Sequence, residues 1–195
     1  MGPVGFMRAA VVALTTFALT SAGCAQRAAS VSSAPASAPA SAPSRLLGEP
    51  APAFTRPTVQ GSVFTTGISA GQVLVVDFMA AYCAPCRRSL PALQALHRRH
   101  PRLVVVGVSL DADPDVARWL IARHGLTFPV IHDPQGILAG RYRVTEIPAS
   151  FVIDHGGRVV WAGNGTQPDG ALALAVEAAL NGPASPAVPT VAAQR

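Results

Sequence analysis

The sequence predicts an α/β domain with a mixed central sheet flanked by helices. Three observations carry this. Two continuous apolar runs, Val73–Met79 and Leu103–Leu110, read as strands buried on both faces. Each is followed by a stretch of helical periodicity, Arg87–His100 and Asp113–His124. Further on, two short strand patterns flank His155-Gly156-Gly157, and an apolar helical segment closes the domain. Strands alternating with helices, then a hairpin and a helix, describe layers of helix on sheet. The chain has 195 residues, 50% of them hydrophobic, enough for one core with extensions.

Taken in order, Met1–Met7 with Arg8 is a short positive leader, and Ala9–Leu19 is an apolar run. That run is shorter than the roughly 20 residues of a transmembrane helix. Thr20-Ser21-Ala22-Gly23-Cys24 then places small residues before a cysteine. This resembles a bacterial lipobox, with residues 1–23 a lipoprotein-type signal peptide and Cys24 the lipidated residue. A plainly cleaved secretory signal and an uncleaved anchor are the alternatives, and all three export the chain. Residues 24–45 are rich in Ala, Ser and Pro without large apolar side chains, so they are expected to form a tether. The folded domain is expected over 46–182, and 183–195 is an Ala/Pro/Val tail expected to be disordered.

Within the domain, Pro57–Thr65 reads as a hairpin around Gln60-Gly61. In the Arg87–His100 helix, Leu90, Leu93 and Leu96 share one face while Arg87, Arg88, Arg98 and Arg99 share the other, which is read as a solvated face. The Asp113–His124 helix is expected to turn Val116, Trp119 and Leu120 inward and to end at Gly125. Phe128–Ile131 is a short strand and Gln135–Tyr142 a short helix. Ser150–Asp154 and Arg158–Ala162 form a hairpin, and Asp169–Leu180 is the last helix. There is no internal repeat.

The net charge of +5 is not a nucleic-acid signature. All fifteen basic residues are Arg, and between Leu46 and Gly182 eleven Arg face ten acids. A nucleic-acid footprint needs a concentrated basic surface.

The chemistry concentrates in Tyr82-Cys83-Ala84-Pro85-Cys86, placed where a buried strand ends and a helix begins. Unpaired N–H groups and the helix dipole stabilise a thiolate there. Such sites lower a cysteine pKa from about 8.5 to roughly 3.5–7.5. Cys83 is expected to be the exposed attacking sulfur and Cys86, one turn on, the inward resolving sulfur. A structural disulfide and half of a zinc site are the competing readings. His97 and His100 are the only nearby candidates for further ligands, and their spacings are too short for a finger. Arg87 after the pair excludes the CxxCH haem motif.

The strand, the CxxC pair and the later Ile147-Pro148 together resemble the thioredoxin fold, closest to the TlpA/ResA-like membrane-tethered thiol–disulfide oxidoreductases. The resemblance spans Gly48–Leu180. Val75–Phe78 through Cys86 resembles the active-site strand and loop. Asp113–Ile131 falls where TlpA-like proteins insert a helix and a strand, and Val144–Asp154 resembles the cis-proline loop and its strand. The resemblance implies a cis Pro148 against the Cys83/Cys86 pair, with Tyr82, Ala84, Pro85, Glu146 and Ile147 in the substrate groove. It also implies no metal and no cofactor beyond a redox-active disulfide. Disulfide-bearing exported proteins, apocytochrome c among them, become the implied targets, with electrons from a membrane thiol–disulfide carrier. The protein is expected to be a lipid-anchored monomer facing the periplasm or cell exterior. Tyr82 replaces the usual Trp, Ser89 an acidic residue common after the pair, and Glu146 the usual Gly. Asp77 stands where thioredoxin keeps a buried carboxylate, and it is the expected base for Cys86, with Glu146 as the rival.

Three functions follow from these residues. The first is a dithiol reductase; Ala84-Pro85 lacks the His of strongly oxidising sites. The second is a peroxiredoxin-like peroxidase, which wants a Thr three residues before its cysteine, where this chain has Ala80. The third is a non-catalytic tethered binding domain with an inert disulfide.

Overall fold

A computed structural model of the chain describes residues 46–67, 69, 71–164 and 170–182. The segments 1–23, 24–45 with Cys24, and 183–195 lie outside the described residues.

The core is a five-stranded sheet in the order β5-β4-β3-β6-β7. Its strands are β3 (Val73–Met79), β4 (Leu103–Ser109), β5 (Val130–His132), β6 (Ala149–Ile153) and β7 (Val159–Asn164). β3, β4 and β5 are parallel, and β6 and β7 are antiparallel to their neighbours. Every residue of β3 is buried, as a central strand covered on both faces requires. The parallel pairs are joined by crossover helices, α1 (Ala84–Arg99) and α2 (Pro114–His124). A short α3 (Ile137–Arg141) precedes β6, and α4 (Ala171–Asn181) follows β7. The result is a thioredoxin fold in which α2 and β5 are the inserted pair.

Because side chains alternate along a strand, β3 divides the core in two. Val73, Val75 and Met79 join Leu90, Leu93 and Leu96 of α1, Leu120 of α2 and Val176 of α4. Leu74, Val76 and Phe78 meet Leu138 and Tyr142 on the other face, together with Leu46 and Phe54 from the N-terminal segment. There the rings of Phe78, Tyr142 and Phe151 lie 5.1–5.9 Å apart.

The N-terminal hairpin pairs β1 (Thr55–Pro57) with β2 (Val63–Thr65). It is tied to the sheet edge. The Val59 N–H donates to the Val130 carbonyl at 2.7 Å, and the Gln60 amide bonds both Phe128 O and Val130 N at 3.0 Å. The backbone of edge strand β5 is thereby occupied, which suppresses pairing with another chain.

One expectation is corrected. Trp119 is 52% exposed, while the buried residues of α2 are Ala117 and Leu120. The large indole at position 119 biased the sequence-derived face. The buried stripe runs through Ala117 and Leu120, with Val116 and Ile121 half-buried beside it. Gly125 ends the helix as expected, at φ +57°, and Asp113, expected as the first helical residue, is the N-cap whose side chain accepts from the Asp115 N–H.

Candidate active site

The loop from β3 into α1 is held from below by the neighbouring strand. The Asp111 carboxylate, just past the end of β4, accepts the Ala81 N–H at 3.0 and 3.1 Å and the Ser109 hydroxyl at 2.9 Å. The Leu110 N–H donates to the Met79 carbonyl at 2.9 Å. Arg87 folds back from the first turns of α1 and its guanidinium donates to the Ala81 carbonyl. Sequence reasoning missed Asp111. Its signal was present: parallel strands end side by side, so an acid just past β4 sits beside the end of β3.

Cys83 is the N-cap of α1, with extended backbone at φ −83° and ψ 100°. Its Sγ accepts the Cys86 N–H at 3.1 Å, the bond a serine makes at this position. Pro85 fits the first turn, where a missing N–H costs nothing. No acidic residue occupies that turn, so nothing there opposes negative charge on sulfur. The two cysteines are joined as a disulfide, with Cα atoms 5.3 Å apart.

Exposure corrects a second expectation. Cys83 retains 7% of its surface and Cys86 1%. In the oxidised protein Cys83, the expected attacking sulfur, is therefore mostly covered, bonded to the buried Cys86. The difference between the two sulfurs keeps the expected sense. Ala84 and Pro85 stay exposed, and Tyr82 is 72% exposed, so its ring faces solvent beside the pair.

The Ile147–Pro148 peptide is cis. Pro148 is buried, and half-buried Ile147 touches both core clusters, one of which holds Cys83 and Cys86. No backbone hydrogen bond joins Ile147 to another described residue. Glu146 is exposed and its carboxylate accepts from the Asn164 side-chain amide. A cavity of about 550 Å³ runs from Pro85 and Pro148 along α1 to Leu93 and Leu96, with Trp161 on its far wall and Arg88 in its lining.

Asp77 is 3% exposed. By alternation it shares a face of β3 with Val75 and Met79, the face that packs on the cluster holding both cysteines. The Ser150 hydroxyl donates to its Oδ1 at 2.6 Å. Burial raises the Asp77 pKa from 3.8 to about 7, against a smaller lowering by the Ser150 hydrogen bond. Ser150 is a second residue that sequence reasoning missed; a hydroxyl in a strand otherwise apolar at its inward positions was its only signal. Among the described residues no His/Cys/Asp/Glu group is arranged to hold a metal ion.

The comparisons with known proteins agree with this geometry. The AhpC/TSA family profile matches residues 47–162. The thiol–disulfide oxidoreductase ResA of Bacillus thuringiensis (strain Al Hakam) is 31% identical over 116 residues, covering 58% of this chain and 67% of that protein. The solved structure of a DsbE-type thiol:disulfide interchange protein from Chlorobium tepidum matches with a TM-score of 0.61 at 35% identity, over 69% of this chain and 97% of that one. A secreted disulfide oxidoreductase of Mycobacterium tuberculosis matches with a TM-score of 0.57 at 25% identity, over 64% and 95% of the two chains. A cysteine pair capping the helix after a central parallel strand, a cis-proline before β6 and these relatives all converge: the chain belongs to the AhpC/TSA family of the thioredoxin superfamily and is a thiol–disulfide oxidoreductase of the ResA/DsbE type.

Proposed function

We propose that this oxidoreductase works as a membrane-tethered, extracytoplasmic reductase of disulfides in exported proteins, with apocytochrome c among its targets. The observation that carries the reductase reading is Cys83 as N-cap of α1, its sulfur already accepting an N–H where the helix end favours negative charge. In the reduced protein the Cys83 thiolate attacks one sulfur of a target disulfide. A Cys83–target bond forms, the target's S–S bond breaks, and the other target sulfur leaves as a thiolate. Cys86 then gives its proton to a base and attacks Cys83 Sγ. The Cys83–Cys86 disulfide forms, and the target's second sulfur leaves as a thiolate. Two electrons pass to the target, and a membrane thiol–disulfide carrier restores the dithiol. No cofactor beyond the cysteine pair enters this cycle.

Roles follow for the surrounding residues. Asp77 is the base for Cys86, since it is buried on the cysteine side of the sheet with a pKa near working pH. An extended target strand pairs with the Ile147 backbone next to Pro148, which offers no N–H of its own. Tyr82, Ala84, Pro85 and Glu146 form the exposed rim that meets the target. The export signal and the Cys24 anchor rest on the sequence pattern, and the secreted M. tuberculosis relative is consistent with export. The peroxidase reading lacks its hydroxyl, since Ala80 is wholly buried with no polar group to offer a peroxide.

Cysteine exchange tests this. Cys83→Ser is expected to abolish reduction of insulin disulfides, and Cys86→Ser to accumulate covalent adducts with target proteins. Adducts on the Cys83→Ser protein instead would reverse the two roles. A redox titration separates the remaining alternative, because an inert structural disulfide has a potential below about −300 mV.

A further inference from the structure

Ser150 stands directly opposite Asp77 in the antiparallel register of β3 and β6. Its hydroxyl reaches the carboxylate at 2.6 Å. Unlike Asp77, Ser150 is only half-buried, and it lines the 550 Å³ cavity that opens beside Pro85 and Pro148. The other polar groups of that lining include Ser89, Arg88 and Asn164. A cavity of this size with several polar walls holds water. Asp77 does not line it, so the hydroxyl stands between the buried carboxylate and the wet cavity.

The remaining surroundings leave this contact without a rival. β4, β6 and β7 carry no titratable side chain. α1 carries Cys86, Arg87, Arg88, His97, Arg98 and Arg99, with Cys83 as its N-cap; Arg87 is bonded to the Ala81 carbonyl, and the C-cap His100 pairs with Glu177 of α4 at 3.0 Å. Gly107 is the partner of Asp77 on β4 and has no side chain to offer.

We propose that Ser150 is a positioning residue for the resolving step: it orients the Asp77 carboxylate toward its task and passes the proton from that carboxylate to the cavity. This rests on the reading of Asp77 as the base for Cys86. While Asp77 is ionised, Ser150 donates to it. When Cys86 gives up its proton, Asp77 becomes the neutral acid and its O–H donates to Ser150 Oγ, whose own hydrogen turns to cavity water. The proton leaves by that route as the Cys83–Cys86 bond closes and the target thiolate departs, so Asp77 returns to its ionised form and again accepts from Ser150. The lowering of the Asp77 pKa by the Ser150 bond fits the same geometry.

The test compares Ser150→Ala and Ser150→Thr with wild type and Asp77→Asn. Titration of the buried carboxyl by its infrared C=O band in the oxidised protein needs no activity. There Ser150→Ala should move the Asp77 midpoint up by about one pH unit, because the donor that favoured the charged form is gone. In stopped-flow release from a preformed mixed disulfide, Ser150→Ala should slow resolution about fivefold near neutral pH, because raising a midpoint of about 7 by one unit cuts the ionised fraction there from about one half to about one tenth. The gap should close at alkaline pH, and the first attack by Cys83 should be unchanged. Ser150→Thr should restore both readouts, and Ser150→Ala should add nothing in an Asp77→Asn background. An unmoved midpoint in Ser150→Ala, or a Thr variant as slow as the Ala variant, overturns the proposal. An Asp77→Asn protein that resolves at the wild-type rate overturns the base reading and the proton route with it. A wild-type protein that reduces no disulfide overturns only the reductase reading, since the infrared midpoint still decides the coupling.

Discussion

Asp77 carries two opposed consequences of one burial. In the unfolded chain it titrates at an ordinary carboxylate value, but in the fold its pKa is raised from 3.8 to about 7. The native state therefore binds the proton more tightly between those values. Stability from this group is fully present below about pH 4, declines as pH rises, and is lost once pH passes about 7. Three pH units correspond to at most roughly 4 kcal/mol. Asp77→Asn removes the buried charge. It is expected to be more stable than wild type at pH 8 and nearly equal to it at pH 4, as urea unfolding of the oxidised proteins at both pH values will show. The same substitution removes the proposed base. Release of the reduced target should slow near neutral pH and recover at alkaline pH, where Cys86 deprotonates unaided, while the first attack is nearly intact. Should Asp77→Asn be kinetically silent and Glu146→Gln show that pH-dependent loss, the base is Glu146, which the structure places on the surface bonded to Asn164.

At the scale of elements, the cysteine loop depends on β4 as much as on its own strand and helix. Asp111 holds the Ala81 N–H with both carboxylate oxygens, and the group is 4% exposed. Asp111→Ala leaves that donor and the Ser109 hydroxyl without this acceptor, at a cost of about 1–3 kcal/mol. It should lower the urea midpoint and slow the first attack by Cys83, with Asp111→Asn between it and wild type because the amide keeps one acceptor oxygen. A loss of stability with an unchanged attack rate would confine Asp111 to folding. The sequence made β3 and β4 legible because a central strand needs an unbroken apolar run, and Val73–Met79 is found at the expected bounds. The end of α2 was legible because a glycine marks it explicitly, at Gly125. At α1 the apolar periodicity is clean only from Arg87, and the cysteine motif marked the start, where the helix begins at Ala84 with Cys83 as its N-cap. The cysteine pair and Pro148 were visible as local motifs. Asp111 and Ser150 were not, since their importance lies in contacts across strands 30 and 73 residues distant in sequence.

For the whole molecule, the question is whether anchoring and catalysis are separable. The described domain closes on itself. Leu46 and Phe54 enter the core face that holds Tyr142, and backbone hydrogen bonds tie Gly48 to Val159 and Ala51 to Gly157. The first core residue described thus comes immediately after the Ala/Ser/Pro segment, whose composition offers no large apolar side chain for burial. The charge pattern agrees, since the eleven Arg and ten acids between Leu46 and Gly182 leave the domain nearly neutral, with little basic attraction to a lipid surface. Membrane attachment is then expected to depend on Cys24 and its lipid alone. Cys24→Ala should release the protein into the soluble exported fraction with its thermal unfolding and insulin reduction unchanged. Fractionation of cells expressing the variant, with wild type as the bound control, measures this. A Cys24→Ala protein that stays with the membrane would mean that Ala9–Leu19 itself holds it there as an uncleaved anchor, and the lipobox reading would fall. A protein that is released but unstable would mean that the segment before Leu46 contributes to the fold, against the composition that sets it apart.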